Sequence, residues 1–234
     1  MIPKIIHYCW FGRKPKPKEV LDCIETWKKH NPEYEIKEWN EENFDIHCCK
    51  YVWEAYNVKK FAFVSDYARL YALYEEGGIY LDTDVEVKKS FNDYLSHKTV
   101  LGWEADYIGT GMIACEKKQK WTKKMMDSYL KEPFIKWSGK LNSVPNPYRL
   151  CNVLMGYGLI MNGNKQILRD DIAIYTLEYF CAHLADHSQF LITDNTVCIH
   201  YYSETWTNKK QSVIYKCKNR MSYLISKILF CFKK

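Results

Sequence analysis

The chain has 234 residues, of which 26% are charged and 47% hydrophobic; that composition excludes collagen-like, disordered and coiled-coil classes and suits one globular domain. The formal charge is +6, which would suit a nucleic acid or a membrane surface. Eight of the bases, and no acid, lie between Asn208 and Lys234, so the remaining body has 26 bases against 28 acids and is slightly acidic. Nucleic acid is therefore excluded as a partner class, and the chain divides into a body over residues 1–207 and a basic, apolar tail over 208–234.

The first twenty residues, MIPKIIHYCWFGRKPKPKEV, lack the pattern of a signal peptide, because His7 interrupts the apolar run and no small-residue cleavage site follows. No stretch reaches the eighteen apolar residues of a membrane span. The ten cysteines contain no CxxC pair; they read as reduced thiols serving as small hydrophobes in a cytosolic protein.

Pro3 to Trp10 is an apolar run that reads as a buried first strand. Glu19 to His30 places Val20, Ile24 and Trp27 at helical spacing, closed by Pro32. Tyr34 to Trp39 alternates as a strand. Strand, helix, strand in this order predicts a βαβ unit with a parallel sheet. Phe61 to Glu76 follows as a helix that is apolar nearly all round and so is buried, ended by a left-handed cap at Gly77 and Gly78. Its internal charges, Asp66 and Arg69, are three apart and share one face. Ile79 to Leu81 is a short strand running into Asp82-Thr83-Asp84, after which Val85 to Val87 resumes the alternation. Val100 to Trp103 reads as a strand, Gly109 to Ala114 as a loop entering another, Lys117 to Lys131 as a helix, Lys136 to Pro147 as a loop, Tyr148 to Met155 as a helix, and Val197 to His200 as a last core strand.

Asp82-Thr83-Asp84 is the strongest chemical signal. Period two puts both carboxylates on one side, and ligands of open α/β sheets bind beyond the carboxyl ends of the strands. Two hard oxygen ligands there suit Mg²⁺ or Mn²⁺ on a diphosphate, although the tripeptide alone equally describes an acidic turn. Asp66 and Arg69 are either an internal ion pair or part of a polar site, since buried charges are paired or functional.

Together, SDYARLYALYEEGGIYLDTDVEV, the opening PKIIHYCWFG and the closing IHYYSETW resemble glycosyltransferase family 32, the sugar transferases with a DXD motif. The resemblance is close over residues 1–90 and 197–207. It implies a GT-A type, Rossmann-like α/β fold with a mixed central sheet flanked by helices. It also implies a nucleotide-sugar donor (UDP- or GDP-linked), Mn²⁺ or Mg²⁺, and retention of anomeric configuration. Carried over by residue, Asp84 would be the direct metal ligand and Asp82 would hold the ribose and the metal's waters. Asp66 and Arg69 would bind the donor sugar, Tyr80 would line its pocket, and His7 and Trp10 would flank the nucleotide. His200 would reach the metal or diphosphate, and Thr205 and Trp206 would close over the diphosphate. His7 is equally read as a satisfied core histidine, and Trp10 and Tyr80 as core aromatics. Thr110 stands where related enzymes often have Asn. The implied role is polysaccharide synthesis of the bacterial capsule or lipopolysaccharide type, on a glycan or lipid-linked acceptor. The competing readings are a haloacid-dehalogenase-type phosphatase using Asp82 and Asp84, and a sugar-nucleotide-binding module without turnover. The tail, with MSYLISKILFCF between basic residues, is expected either to lie on the inner face of the cell membrane or to pack on the body.

Overall fold

The sheet grows from Ile5–Cys9 (β1), whose β-branched and aromatic residues suit a strand buried on both faces. The computed structural model describes residues 1–183 and 189–203, of which those to Tyr202 make one unit. The amphipathic helix Lys18–His30 (α1) returns the chain so that Glu35–Trp39 (β2) pairs parallel to β1. A short helix, Lys50–Asn57 (α2), precedes the long Phe61–Glu76 (α3). Gly77 ends α3 at φ 71° and ψ −164°, so the expected positive φ is there but the cap is extended rather than left-handed helical. A Cβ on Gly77 or Gly78 would stand 2.7 Å from backbone, so only glycine allows this tight passage.

Gly78–Leu81 (β3) then runs parallel to β1, fully buried. Val85–Val87 (β4) leaves the main sheet and pairs antiparallel with Cys198–His200 (β10) in a separate two-stranded sheet. The expected last core strand is thus found, but in this small sheet. Thr99–Glu104 (β5) and Tyr107–Ile108 (β6) form a hairpin, and Met112–Cys115 (β7) fits antiparallel between β3 and β5. Lys120–Leu130 (α4) and Asn146–Met155 (α5) follow, then Gln166–Leu168 (β8), Ile172–Tyr175 (β9) and Leu177–Phe180 (α6). The main sheet runs β2-β1-β3-β7-β5-β9-β8, with β6 paired to β5. It is mixed: β1, β2, β3, β5 and β9 share one direction and β7 and β8 oppose it.

Each face of the sheet carries a core. On one, Val64, Leu70 and Leu73 of α3 pack with Tyr80, Ile113, Trp121 and Leu150. On the other, Val20, Ile24 and Trp27 of α1 pack with Ile6, Ile79, Leu81 and Val85. Each fully buried aliphatic or phenylalanine side chain contributes about 1.5–3 kcal/mol, enough for a chain whose eight described cysteines are all free thiols. Trp27 also donates its indole N–H to the Val85 carbonyl at 2.7 Å, which fastens α1 to the strand following Asp82-Thr83-Asp84.

Candidate functional site

Five strands end on the same edge of the sheet, and the chemistry gathers there. β3 stops at Leu81, and residues 82–84 form a turn in which Val85 donates to the Asp82 carbonyl at 3.1 Å. The two carboxylates are brought together by this turn and not by strand alternation, which corrects the reason expected from the sequence. Asp82 N–H donates to the Gly111 carbonyl at 2.8 Å, pinning the turn to the loop that enters β7.

Arg69 sits on α3 directly against this turn. Its Nη2 lies 3.0 Å from Asp66 Oδ1 and 3.3 Å from Asp82 Oδ1, while Nη1 donates to the Thr110 carbonyl at 2.6 Å. Its side chain is 6% exposed, against 15% for Asp66 and 26% for Asp82. Burial disfavours its charge, but Asp82, Tyr80 and Asp66 outweigh that and keep it protonated. Burial pushes the Asp66 carboxyl up to about 6 against the pull of Arg69. Asn146 Nδ2, at the start of α5, donates to Asp66 Oδ1 at 3.3 Å, a partner that sequence reasoning missed. The i, i+3 pair is therefore real, and Arg69 extends it into a bridge between Asp66 and Asp82. Removing one member of such a buried network costs about 3–5 kcal/mol, so the bridge fixes where both carboxylates stand.

Asp84 faces the small sheet, where His200 Nε2 lies 3.2 Å from Asp84 Oδ1 and 3.9 Å from Asp82 Oδ2. Burial lowers His200, but Asp84, Glu104 and Asp82 together raise it to about 9. The Tyr202 ring lies 3.9 Å from that of His200. Asp66, Arg69, Asp82, Asp84 and His200 are thus one continuous cluster.

Other expected site residues fall elsewhere. His7 is wholly buried; Nε2 is 2.8 Å from the Gly77 carbonyl and Nδ1 accepts the Trp39 indole N–H at 3.1 Å. Both ring nitrogens are used inside the core, so the histidine supports the α3–β3 passage and offers a nucleotide nothing. Tyr80 is 1% exposed, lies under the Arg69 guanidinium at 4.6 Å and donates to Asp82 Oδ1 at 3.0 Å. It props Asp82 and does not line an open pocket. Trp10 is half-buried at the end of β1, its indole N–H held by the Lys14 carbonyl at 2.6 Å. Thr110 acts through its backbone, since its carbonyl is the acceptor for Arg69. Thr205, Trp206 and the tail lie outside the described residues.

Among the described residues no three His, Cys, Asp or Glu side chains already form a group able to hold a metal ion. The donor types still fit a hard divalent cation, because two carboxylates and an imidazole meet at one partly open point and substrate oxygens commonly complete such a shell. No described helix is long and apolar enough to cross a membrane.

Residues 17–101 match the family described as the glycosyltransferase sugar-binding region containing a DXD motif. That span holds Asp66, Arg69, Asp82 and Asp84 and stops before His200. Glucan organizing enzyme 1 of Cryptococcus neoformans is 50% identical over 48 residues, which are 20% of this chain and 13% of that protein. Inositol phosphoceramide mannosyltransferase 3 of Schizosaccharomyces pombe is 31% identical over 107 residues, 41% of this chain and 28% of that one. The matched regions are therefore less than a third of these relatives' length. Among solved structures, the PaToxG glycosyltransferase superposes with a TM-score of 0.53 at 21% identity, over 66% of this chain and 69% of that one. The apo form of the glycosyltransferase GlyE from Streptococcus pneumoniae TIGR4 gives 0.52 at 14% identity, over 86% and 55%. The mixed sheet, its helices and these likenesses define a GT-A type fold, within which residues 17–101 match the glycosyltransferase sugar-binding region containing a DXD motif.

Proposed function

We propose that the chain is a retaining, metal-dependent hexosyltransferase that moves a sugar from a UDP- or GDP-linked donor to a glycan or lipid-linked saccharide. The observation that carries this is the Arg69 bridge, which holds Asp66 and Asp82 at the end of β3 while Asp84 meets His200 beside them. A structural ion pair would need only one carboxylate. Here one guanidinium orders two, and both keep an edge toward solvent.

Asp82, Asp84 and His200 would hold Mn²⁺ or Mg²⁺ together with the donor's diphosphate. Bound there, the ion supplies a Lewis acid for the charge that develops on the leaving group. The chain's own residues do the positioning. Asp66, with its carboxyl raised by burial, faces the donor sugar's hydroxyls, and Arg69 keeps it at a fixed distance from Asp82. Trp10, at the end of β1, offers a flat face to the base. Thr205 and Trp206 would cover the diphosphate, and with water excluded each of these contacts gains strength. The acceptor hydroxyl attacks from the leaving-group side, so that the departing phosphate oxygen takes its proton and configuration is retained.

The proposed setting is assembly of a capsule- or lipopolysaccharide-type polysaccharide at the inner face of the cell membrane, with the basic tail as peripheral contact. A phosphatase using Asp82 as nucleophile is disfavoured, because Arg69 and Tyr80 both occupy that carboxylate. The test is a thermal-shift panel of UDP- and GDP-sugars with Mn²⁺ and with chelator. A donor at 100 times its dissociation constant stabilises by about 2.7 kcal/mol. A panel without any chelator-sensitive shift would refute the reading.

A further inference from the structure

Residues 133–169 hold five bases, Lys136, Lys140, Arg149, Lys165 and Arg169, and no acid. In the same stretch large apolar side chains come out to solvent: Trp137 is fully exposed, Ile160 and Ile167 are 64% and 63% exposed, and Leu141, Tyr148 and Met155 are exposed as well. Exposed apolar residues scattered singly are normal, but a run of them among charges of one sign marks an interaction surface. The backbone holds them in place. Lys136 N–H donates to the Lys140 carbonyl and Gly139 N–H to the Lys136 carbonyl, both at 2.8 Å, with Gly139 at φ 76°, so the turn that carries Trp137 is closed. Tyr148 and Met155 are seven apart on α5 and share one side of it with Asn152, so the outer face of this helix carries no charge. Ile167 stands on β8, the last strand of the main sheet. Lys136, Lys140, Lys165 and Arg169 are exposed among these residues, whereas Arg149 turns inward and lies over the Tyr129 ring at 4.7 Å.

We propose that this surface is a lipid-contact face of the folded body, separate from the tail, which lies on a membrane bearing anionic headgroups. The composition selects the occupant. Four exposed bases with no acid among them complement a layer of anionic headgroups. A tryptophan between two lysines at a hairpin tip suits the headgroup boundary, where an apolar ring and a cation are both accommodated. The aliphatic side chains need an apolar medium, which a soluble polyanion does not offer. A second copy packed face to face would set these bases against their own like charges. The same pairing of bases with apolar residues recurs in 208–234, which has eight bases, no acid and the run MSYLISKILFCF. The inference goes beyond the transferase reading and does not need it. Helix α5 begins at Asn146, whose amide meets Asp66 at 3.3 Å, so the face borders the charged cluster. Under the transferase reading, the same contact brings that cluster to saccharides carried on a lipid.

The test is sedimentation of the full chain with vesicles of phosphatidylcholine mixed with phosphatidylglycerol, and with vesicles of phosphatidylcholine alone. Two variants probe the face, K136Q/K140Q/K165Q for its charge and W137S/I160S/I167S for its apolar part; both keep the tail. Each lysine near an anionic surface contributes about fivefold, so the first should lose about 100-fold in partitioning onto the mixed vesicles. The second should lose about 10–100-fold there. Circular dichroism melts and Mn²⁺-dependent nucleoside diphosphate release should match wild type in both, since these side chains are exposed and outside the cluster. L21S is the control, because Leu21 is exposed on α1, which packs on the other face of the sheet; it should partition as wild type. Wild-type partitioning by either face variant would overturn the proposal, and so would an equal loss in L21S. A dimer in light scattering that the apolar variant dissolves, with vesicle binding unchanged, would assign the face to a second copy instead. Failure of the transferase reading is seen separately, as wild type that releases no nucleoside diphosphate from any donor, and it leaves the vesicle result standing.

Discussion

Gly111→Ala isolates the geometry of the site from its chemistry, because it removes no functional group. The added methyl would stand 2.8 Å from His200 Cε1 and Nδ1, where ordinary contact is 3.4–4 Å. Gly111 does not have positive φ, so alanine brings no backbone strain there. The imidazole must move by about half an ångström or more to restore contact, and overpacking of this kind costs about 1–3 kcal/mol. His200 has little freedom to yield, since Tyr202 stacks on one side and Asp84 holds Nε2 at 3.2 Å on another. For a chain of this size the melting temperature should fall by about 2–12 °C. Activity should fall by about 10–100-fold, the upper figure being the effect of a 1 Å displacement of a positioned group. The assay is Mn²⁺-dependent nucleoside diphosphate release at a temperature where circular dichroism shows the variant folded. Full activity with an unchanged melting temperature would refute the claim that the loop's close approach sets the position of His200.

Four other perturbations separate stability from chemistry. Asp84→Ala should abolish metal-dependent donor hydrolysis while leaving the circular dichroism spectrum intact, and unchanged turnover would remove Asp84 from the site. Arg69→Met should lower stability in urea by about 3–5 kcal/mol, because two buried carboxylates lose their partner; adding Asp66→Asn should recover part of that, and strict additivity would contradict the bridge. Trp27→Phe orphans the Val85 carbonyl and should cost about 1–3 kcal/mol in denaturant melts, with a further fall in activity because the turn at 82–84 is loosened. Asp171 is pushed up by burial, but His97 at 2.8 Å and the Lys98 N–H at 3.0 Å outweigh that and hold it below the usual carboxylate range. A lowered carboxyl stabilises the fold above its unfolded pKa of about 4 and loses that contribution as pH falls through the folded value. Asp171→Asn should therefore flatten the acid limb of stability below about pH 4, by under about 1 kcal/mol since the group is partly exposed.

The helix α3 was legible because its apolar residues run from Phe61 to Glu76 without a breaker and two glycines stop it. The element β4 was legible as a strand but not as part of a second sheet, since alternation says nothing about which strand will pair with it. Lys50–Asn57, eight residues with only three buried, left too short a period to read. β9 and β8, of four and three residues, are set by pairing, β9 with β5 and β8 with β9, and not by local pattern. Within the site, Asp66, Arg69, Asp82 and Asp84 were found because charges inside or beside apolar runs stand out. His7 has the same appearance, and only its two occupied nitrogens separate a structural histidine from a ligand. Glu104 and Asn146 carried no such contrast: each is a polar residue at the edge of an element, and only sheet order brings Glu104 beside His200 and helix packing brings Asn146 to Asp66.

The antiparallel strand β7 explains why the site forms at this place. A purely parallel sheet would present only strand ends and the loops that follow them. Because β7 enters between β3 and β5 in the opposite direction, its preceding loop, 109–111, joins the edge where β3 and β5 end. That loop places the Thr110 carbonyl on Arg69 and the Gly111 carbonyl on the Asp82 N–H, and its missing side chains admit Glu104 and His200. Backbone polar groups supply fixed dipoles at no side-chain entropy, so the reversal converts a sheet edge into a rigid seat for three carboxylates. A loop built this way tolerates little substitution, whereas the hairpin 135–141, which projects Trp137 fully into solvent, touches none of these groups and should accept change without effect on donor turnover.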